Sequence, residues 1–489
     1  MATRSYDRLF IGGSMVEPCG SGVIEVRSPA TLELVGRVPE GTPADIDRAV
    51  AAAREAFERG PWPTMSPGER ADALARLNEE LLLRQEDFAS VLTSEVGSPI
   101  TFSQTVQALS PTMVLSYYVD LTRTYPFEEL RDGVLGRSWV LREPVGVVGA
   151  IVPWNVPLFV AITKIAPALA AGCTVVLKPP PETPLFAYLL AEAIVAAAIP
   201  EGVINIVAGG RDVGEHLVRH PEVDKVSFTG SPEAGRKVAA ICGGLLRPVT
   251  LELGGKSAAI LLDDVNLEQK IPELLPFAMM NSGQACIAQT RVLASRARYR
   301  EVVDALTEEV NRQKTGDPMD PETFCGPMIA ERQRARVEEY IASGRAQGAR
   351  ITTGGGRPKD LPRGWFVEPT VFADVTSGMK IAQEEIFGPV LSVIAYDDED
   401  DAIRIANDSR YGLSGSVWTN DYARGLAIAK RVRTGTYSVN GYVLDFATPF
   451  GGYKESGLGR EMGPEGLTAF VEYKSVNMPY DYVPPDQAT

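Results

Sequence analysis

The sequence predicts an α/β protein with two doubly wound domains and a small β arm. Three observations predict it. Residues 144–256 alternate between short, continuous apolar runs and longer stretches of helical period. A second alternation of the same kind begins after residue 256. A strand-rich stretch around Asp132-Gly133 stands between a helical region and the first alternation, with no core of its own. Continuous apolar strands joined by long helical segments imply crossover connections, and hence parallel sheets covered on both faces.

The elements follow in chain order. ADIDRAVAAAREAF begins near Pro43 and Asp45, and GERADALARLNEELLLRQEDFASVLTSEVG runs on to Gly97, as helix starts and stops favour. FEELRDGVLGRSWVLREP reads as a hairpin turning at Asp132-Gly133. PVGVVGAIVP is then a buried strand, PLFVAITKIAPALAAG a helix stopped by Gly172, and TVVLKP a strand. TPLFAYLLAEAIVAAAI is a helix, GVINIVAG a strand, DVGEHLVRH a helix, DKVSFTG a strand, PEAGRKVAAIC a helix and PVTLELGG the last strand. This is a Rossmann-like, dinucleotide-type pattern, whose ligands belong at the C-terminal ends of the strands. SAAILLDD, TRVLASR, GPVLSVIAY and LSGSVWT read as strands of the second α/β domain. GGGRP at 354–358 lacks the lysine and serine of a phosphate loop and reads as a surface turn. VEYKSVNM, near the end, is strand-like and can pair with the hairpin or with another subunit. The expected division is a coenzyme-binding domain over 1–123 and 144–253, a catalytic domain over 254–460, and an oligomerisation arm and tail from 124–143 and 461–489.

Composition excludes several classes of function. A chain of 489 residues with 45% hydrophobic and 23% charged content suits a globular protein of about two or three domains. A net charge of −15 disfavours nucleic acid and anionic membranes, which want a basic face. The best apolar stretch, VPLFVAITKIAPALAAG, is too short for a membrane span and is interrupted by Lys164. MATRSYDRLFIGG has no apolar signal core, and five scattered cysteines suit a reducing compartment, so a cytoplasmic protein is expected. His216 and His220 are spaced for a shared helix face, but no further cysteine or histidine adjoins them. We expect no metal there, and a helix end closed by His220-Pro221.

Polar residues collect at the strand ends. VPWN brings Asn155, VVLKP brings Lys178, SFTGS brings Gly230 and Ser231 with Gly235 following, and LELGG brings Glu252. Each alone reads as a cap or turn; four at the ligand-binding edge of one sheet point to a site. Cys286, in NSGQACIAQTR, sits among small and polar residues, whereas Cys173 and Cys242 lie in apolar runs. From its window it is either an incidental loop thiol or a nucleophile.

PWN (153–155), FTGS (228–231), LELGGKS (251–257), GQAC (283–286), EEIFGPV (384–390) and PFGGYK (449–454) bear on that choice together. In this order they resemble the aldehyde dehydrogenase superfamily, over nearly the whole chain from LFIGG to PFGGYKESGLGRE. The resemblance implies oxidation of an aldehyde to a carboxylic acid with NAD, through a thiohemiacetal and a thioester on Cys286. It implies that Asn155 and the Cys286 N–H hold the oxyanion, that Glu252 activates the hydrolytic water, and that Lys164 and Glu461 relay protons behind the site. For the coenzyme it implies Lys178 at the adenosine ribose, Gly230 and Ser231 at the pyrophosphate with Trp154 close by, and Gly235 and Leu253 among the coenzyme-binding residues. Glu385 and Phe387 would meet the nicotinamide ribose and ring.

One position departs. Pro181, three residues after Lys178, offers no carboxylate to bind a ribose 2′-hydroxyl or to repel a 2′-phosphate, so NADP is expected to be accepted beside NAD. Val156 and Thr163 stand where several relatives carry rings, while Phe450, Tyr117 and Tyr118 remain to line the substrate entrance. An open apolar channel for medium or aromatic aldehydes is expected. Release of the acyl group to coenzyme A is disfavoured by Glu252 at the water-activating position. The exposed strand edges of the arm predict a homodimer or homotetramer.

Overall fold

The computed structural model describes residues 3–479 together with Tyr482 and Val483. The first alternation folds into β1 (Val147–Ile151), α1 (Pro157–Ala171), β2 (Thr174–Lys178), α2 (Leu185–Ala196), β3 (Ile204–Ile206), α3 (Arg211–Arg219), β4 (Lys225–Thr229), α4 (Pro232–Gly244) and β5 (Val249–Glu252). The five strands are mutually parallel in the order β5-β4-β1-β2-β3, so the strand order reverses between β1 and β4. Leu9–Ile11 and Ser14–Val16 extend the β3 edge, and Gly457–Leu458 pairs antiparallel with β5 at the other. Every residue of α1 is buried, as an all-round apolar helix requires, and Gly172 ends it in the left-handed conformation (φ 96°).

The second sheet contains β6 (Ala258–Leu261), β7 (Arg291–Ser295), β8 (Thr370–Val375), β9 (Val390–Tyr396), β10 (Gly415–Trp418) and β11 (Ser438–Val439). These are parallel in the order β8-β9-β7-β6-β10-β11, with Arg350–Thr353 added antiparallel to β8. Only LGGKS (253–257) separates β5 from β6. That short link sets the C-terminal edge of the first sheet against the N-terminal edge of the second. Residues beyond the ends of β1, β4 and β5 therefore meet residues that precede β6 and β7.

The hairpin forms, with a shifted turn. Glu128–Gly133 and Gly136–Pro144 pair antiparallel, and the turn residues are Val134-Leu135, because Gly136 takes the positive φ (138°) that closes it. Val471–Asn477 of the same chain completes a three-stranded sheet by pairing with Gly136–Pro144. The end of the expected tail, residues 480, 481 and 484–489, lies outside the described residues. The long helix expected before Gly97 is two helices, Pro67–Leu83 and Gln85–Val96, meeting at Arg84 (φ −106°, ψ 12°), where no glycine or proline marks the break.

Candidate active site

Where the strand order reverses, the flanking crossover helices leave in opposite directions, and a crevice opens beyond β1 and β4. Trp154 and Asn155 follow β1 there, and Gly230 and Ser231 follow β4. They line a cleft of about 640 Å³ together with Leu253, Cys286, Glu385 and Phe387. Trp154 meets Phe387 edge to face, with ring centroids 5.3 Å apart. Phe387 is itself left-handed (φ 64°), and Gln333 Nε2 donates to its carbonyl at 2.7 Å, which fixes the ring on the cleft wall.

Cys286 rides on a strained loop. Asn281, Ser282 and Gly283 all have positive φ (52°, 58° and 74°). For non-glycine residues that conformation costs about 1–2 kcal/mol each, so the surroundings must enforce it. Ser98 Oγ donates to Asn281 Oδ1 (2.6 Å), the Gly326 N–H to Ser282 Oγ (2.9 Å) and the Ile329 N–H to Gln284 Oε1 (3.0 Å). Asn155 Nδ2 donates to the Gln284 carbonyl at 2.8 Å, and Asn281 Nδ2 donates back to the Asn155 carbonyl at 3.1 Å. The loop before the thiol and the loop after β1 are thus stitched together, and Asn155 keeps a second amide N–H to donate. A Cβ on Gly255 would lie 2.2 Å from the Cys286 carbonyl oxygen, so LGGKS must carry glycine there for the two edges to close.

Burial pushes the Cys286 thiol up, the Glu385 and Glu252 carboxyls push it further, and the Cys286 and Ile287 N–H groups oppose them. Burial also holds Glu252 well above the carboxylate range, with Glu461 adding to the rise and Lys164 and Arg460 opposing it. Both Glu252 oxygens are buried without a hydrogen-bond partner among the described residues. A Cβ on Gly451 would come within 2.6 Å of Glu252 Oε1, so the PFGG turn also needs glycine beside the carboxyl. Lys164, from the middle of α1, forms a buried ion pair with Glu461. Ser227 Oγ (3.2 Å from Lys164 Nζ) and Thr163 Oγ1 (3.1 Å from Glu461 Oε2) complete that cluster behind Glu252.

On the coenzyme side, Ser231 caps α4, its Oγ accepting from the Ala234 N–H at 3.3 Å. Glu385 Oε1 accepts from the Gly255 N–H at 2.9 Å; burial pushes this carboxyl up to about 7, and that N–H, Arg336 and Lys256 pull it back. Lys178 lies outside the cleft lining. Its ammonium donates to the carbonyls of Pro179 (2.8 Å) and Gly209 (3.0 Å), and burial lowers its pKa to about 8. Gly235 is not on the cleft wall either: its missing side chain makes room for Leu253, whose Cδ2 would sit 2.5 Å from a Cβ there. Tyr118 is fully buried and donates to the Gly463 carbonyl at 3.2 Å, so it does not line the entrance; Tyr117 is half-buried beside it.

Sequence reasoning passed over Asn281, Gln284, Ser227 and Gly451. Asn281-Ser282-Gly283 carries a signal, since asparagine and glycine tolerate positive φ. Ser227 carries none, being one small residue inside a strand. The two histidines both face Asp47, His216 at 2.6 Å and His220 at 3.4 Å. The Glu222 N–H donates to His220 Nδ1, leaving Nε2 as the protonated nitrogen toward Asp47. A larger hollow, about 840 Å³, opens at the far end of the second sheet. Its walls carry self-paired charges such as Arg296–Asp397 and Arg404–Asp401, and its lining includes no cysteine.

A thiol, a buried carboxyl and a dinucleotide-type cleft converging between two α/β sheets define a class: oxidoreductases that work through an enzyme thiol. Within that class the chain belongs to the aldehyde dehydrogenase family, whose family model matches residues 15–476. It is 48% identical to a geranial dehydrogenase of Castellaniella defragrans, over 97% of this chain and 99% of that one. It is 43% identical to a 3-succinoylsemialdehyde-pyridine dehydrogenase of a Pseudomonas species, over 97% and 98%. Its structure is similar to a Mycobacterium tuberculosis aldehyde dehydrogenase complexed with NAD+ (TM-score 0.97, 52% identity, 99% and 100% covered). It is also similar to a Pseudomonas syringae aldehyde dehydrogenase complexed with NAD+ and octanal (TM-score 0.93, 40% identity, 96% of each chain covered).

Proposed function

We propose that the protein oxidises an aldehyde to a carboxylic acid with NAD, and accepts NADP as well. The observation that carries this reading is the convergence of Cys286, Asn155 and Glu385 on one cleft at the reversal of the first sheet. The coenzyme fits the residues present: the start of α4 at Ser231 offers N–H groups and a positive dipole end to a pyrophosphate, and Glu385 is placed to accept from a ribose hydroxyl. Trp154, Gly230 and Leu253 border the same space, Phe387 covers the nicotinamide end, and Lys178 serves the adenosine ribose. Gly235 acts through Leu253 rather than by contact. When bound, the nicotinamide supplies the hydride acceptor.

Cys286, on the wall of the open cleft, gives its proton to water and its sulfur bonds to the aldehyde carbon, giving a thiohemiacetal whose oxyanion is held by Asn155 Nδ2 and the Cys286 N–H. Loss of hydride from that carbon leaves a thioester. Glu252 in its carboxylate form takes a proton from water, whose hydroxyl adds to the thioester carbon; the C–S bond then breaks and the acid and the thiol are released, with the Lys164–Glu461 cluster behind Glu252 to relay the proton. Glu252 so placed favours water over coenzyme A as the acyl acceptor.

The half-buried Tyr117, Val156, Ile287, Leu444 and Phe446 pack, like Cys286, against the apolar core that contains Phe159, whose ring lies 6.2 Å from that of Phe446. That suits a medium-sized, apolar aldehyde, in keeping with the geranial and octanal named for two relatives. We assign coenzyme binding to residues 1–123 and 144–253, the nucleophile to 254–460, and assembly into a homodimer or homotetramer to 124–143 and 461–489. The five free cysteines suit a cytoplasmic setting, and no helix among the described residues is long and apolar enough to cross a membrane. The test is direct. Purified protein with NAD and an aldehyde such as octanal should produce NADH, and Cys286→Ala should abolish this while still binding NAD. NADH production by Cys286→Ala at the parent rate would overturn the reading.

A further inference from the structure

Glu182 and Arg332 form an ion pair that joins the two halves of the molecule, near the Lys178 assigned to the adenosine ribose. Glu182 follows Lys178 and Pro181 on the segment leaving β2; Arg332 is in the first turn of the helix Glu331–Ala346, which carries Gln333 and Arg336 on the cleft wall. The segment is anchored to the site, because Thr183 Oγ1 donates to the Trp154 carbonyl at 3.3 Å. The helix is anchored too, through Gln333 and the Phe387 carbonyl. Between these fixed points the pair is lopsided: the Glu182 side chain is 22% exposed and that of Arg332 63% exposed. The carboxylate is held, and the guanidinium is free to leave it for another anion.

Three charges thus gather where the ribose is assigned. The Glu182 carboxylate is close enough to Lys178 to favour its charged form. Pro181, between them, contributes no donor or acceptor. With a ribose 2′-hydroxyl the three charges stay as they are. A 2′-phosphate brings about two further negative charges, which Lys178 alone, already shared between two carbonyls, balances poorly. A guanidinium can bind a phosphate through two parallel N–H groups, a geometry that suits it better than its exposed pairing with a single carboxylate.

We propose that Arg332 turns from Glu182 to the 2′-phosphate of NADP, so that this ion pair, rather than the residue at 181, sets the preference between the two coenzymes. The proposal rests on the coenzyme assignment above. Its test is binding, read by quenching of tryptophan fluorescence or by calorimetry on the full-length protein, with NAD and NADP titrated separately. Arg332→Ala should raise the Kd for NADP by about tenfold or more, the worth of a charge-assisted bond, and leave that for NAD within about twofold. Glu182→Gln should tighten NADP several-fold by releasing the arginine and removing a like charge, again with little change in NAD. Arg332→Lys should fall between parent and alanine, and both NADP effects should shrink with added salt. Unchanged NAD binding in each variant reports that it is folded. Equal shifts for both coenzymes, or an Arg332→Ala protein that binds NADP as the parent does, would overturn the proposal alone. A parent that binds neither coenzyme would remove the coenzyme assignment and this proposal with it.

Discussion

Burial raises both the Cys286 thiol and the Glu252 carboxyl, and for the thiol this sets the response to pH. A thiol held above its ordinary range gains thiolate as pH rises, and only the thiolate is alkylated. In the coenzyme-free protein, iodoacetamide should therefore modify Cys286 at a rate that climbs by about tenfold per pH unit between roughly pH 6 and 8, without a plateau. Peptide mass spectrometry separates this from the exposed Cys19, and a bound aldehyde should protect Cys286 alone. A rate independent of pH over that range would mean the thiolate is already formed at rest. Cys286, Asn155 and Glu252 were legible because each is a reactive or polar group where an apolar strand ends or small residues cluster. Asn281, Gln284 and Ser227 were not. Their roles arise from hydrogen bonds between segments far apart in the chain, and nothing local records such a pairing.

At the scale of elements, α1 binds its charge to a distant partner. Lys164 lies in a helix whose every residue is buried, and Glu461, from beyond the second sheet, pairs with it. Removing one member of a buried pair strands the other, at a cost of about 3–5 kcal/mol. Lys164→Met should lose stability of that order in chemical denaturation. The double change Lys164→Met/Glu461→Leu should recover most of it, while turnover stays low in both if the pair relays protons. A single variant as stable as the parent would show that the pair carries no such burden. The nine helices and strands of the first alternation were legible because period and stop residues agree along it. The break at Arg84 was not, since packing rather than glycine or proline makes it. The hairpin turn fell at Val134-Leu135 rather than Asp132-Gly133 because register with Gly136, and not the turn dipeptide alone, decides the loop.

The whole molecule depends on apposing two sheets and on an arm that stands clear of both. The turn residues Val134 and Leu135 are 99% and 93% exposed, and Glu128–Gly133 and Val471–Asn477 are the two open edges of their sheet. Light scattering should therefore give two or four times the chain mass at micromolar concentration, and Val134→Asp/Leu135→Asp should shift it toward the monomer. A parent that is monomeric there would remove the assembly role of the arm. Apposition suits the proposed chemistry: Glu252 ends β5 of the first sheet, Cys286 precedes β7 of the second, and the proposed reaction uses them in turn. The measurement that tests this division of labour most directly is rapid mixing of Glu252→Gln with NAD and aldehyde. The amide is the same size but cannot take a proton from water. The account predicts a burst of up to about one NADH per active site. Steady turnover should then be lower by roughly 10²–10⁴, with an acyl group on Cys286 after quenching. Neither burst nor adduct would place Glu252 before hydride transfer, and unchanged turnover would remove it from the reaction.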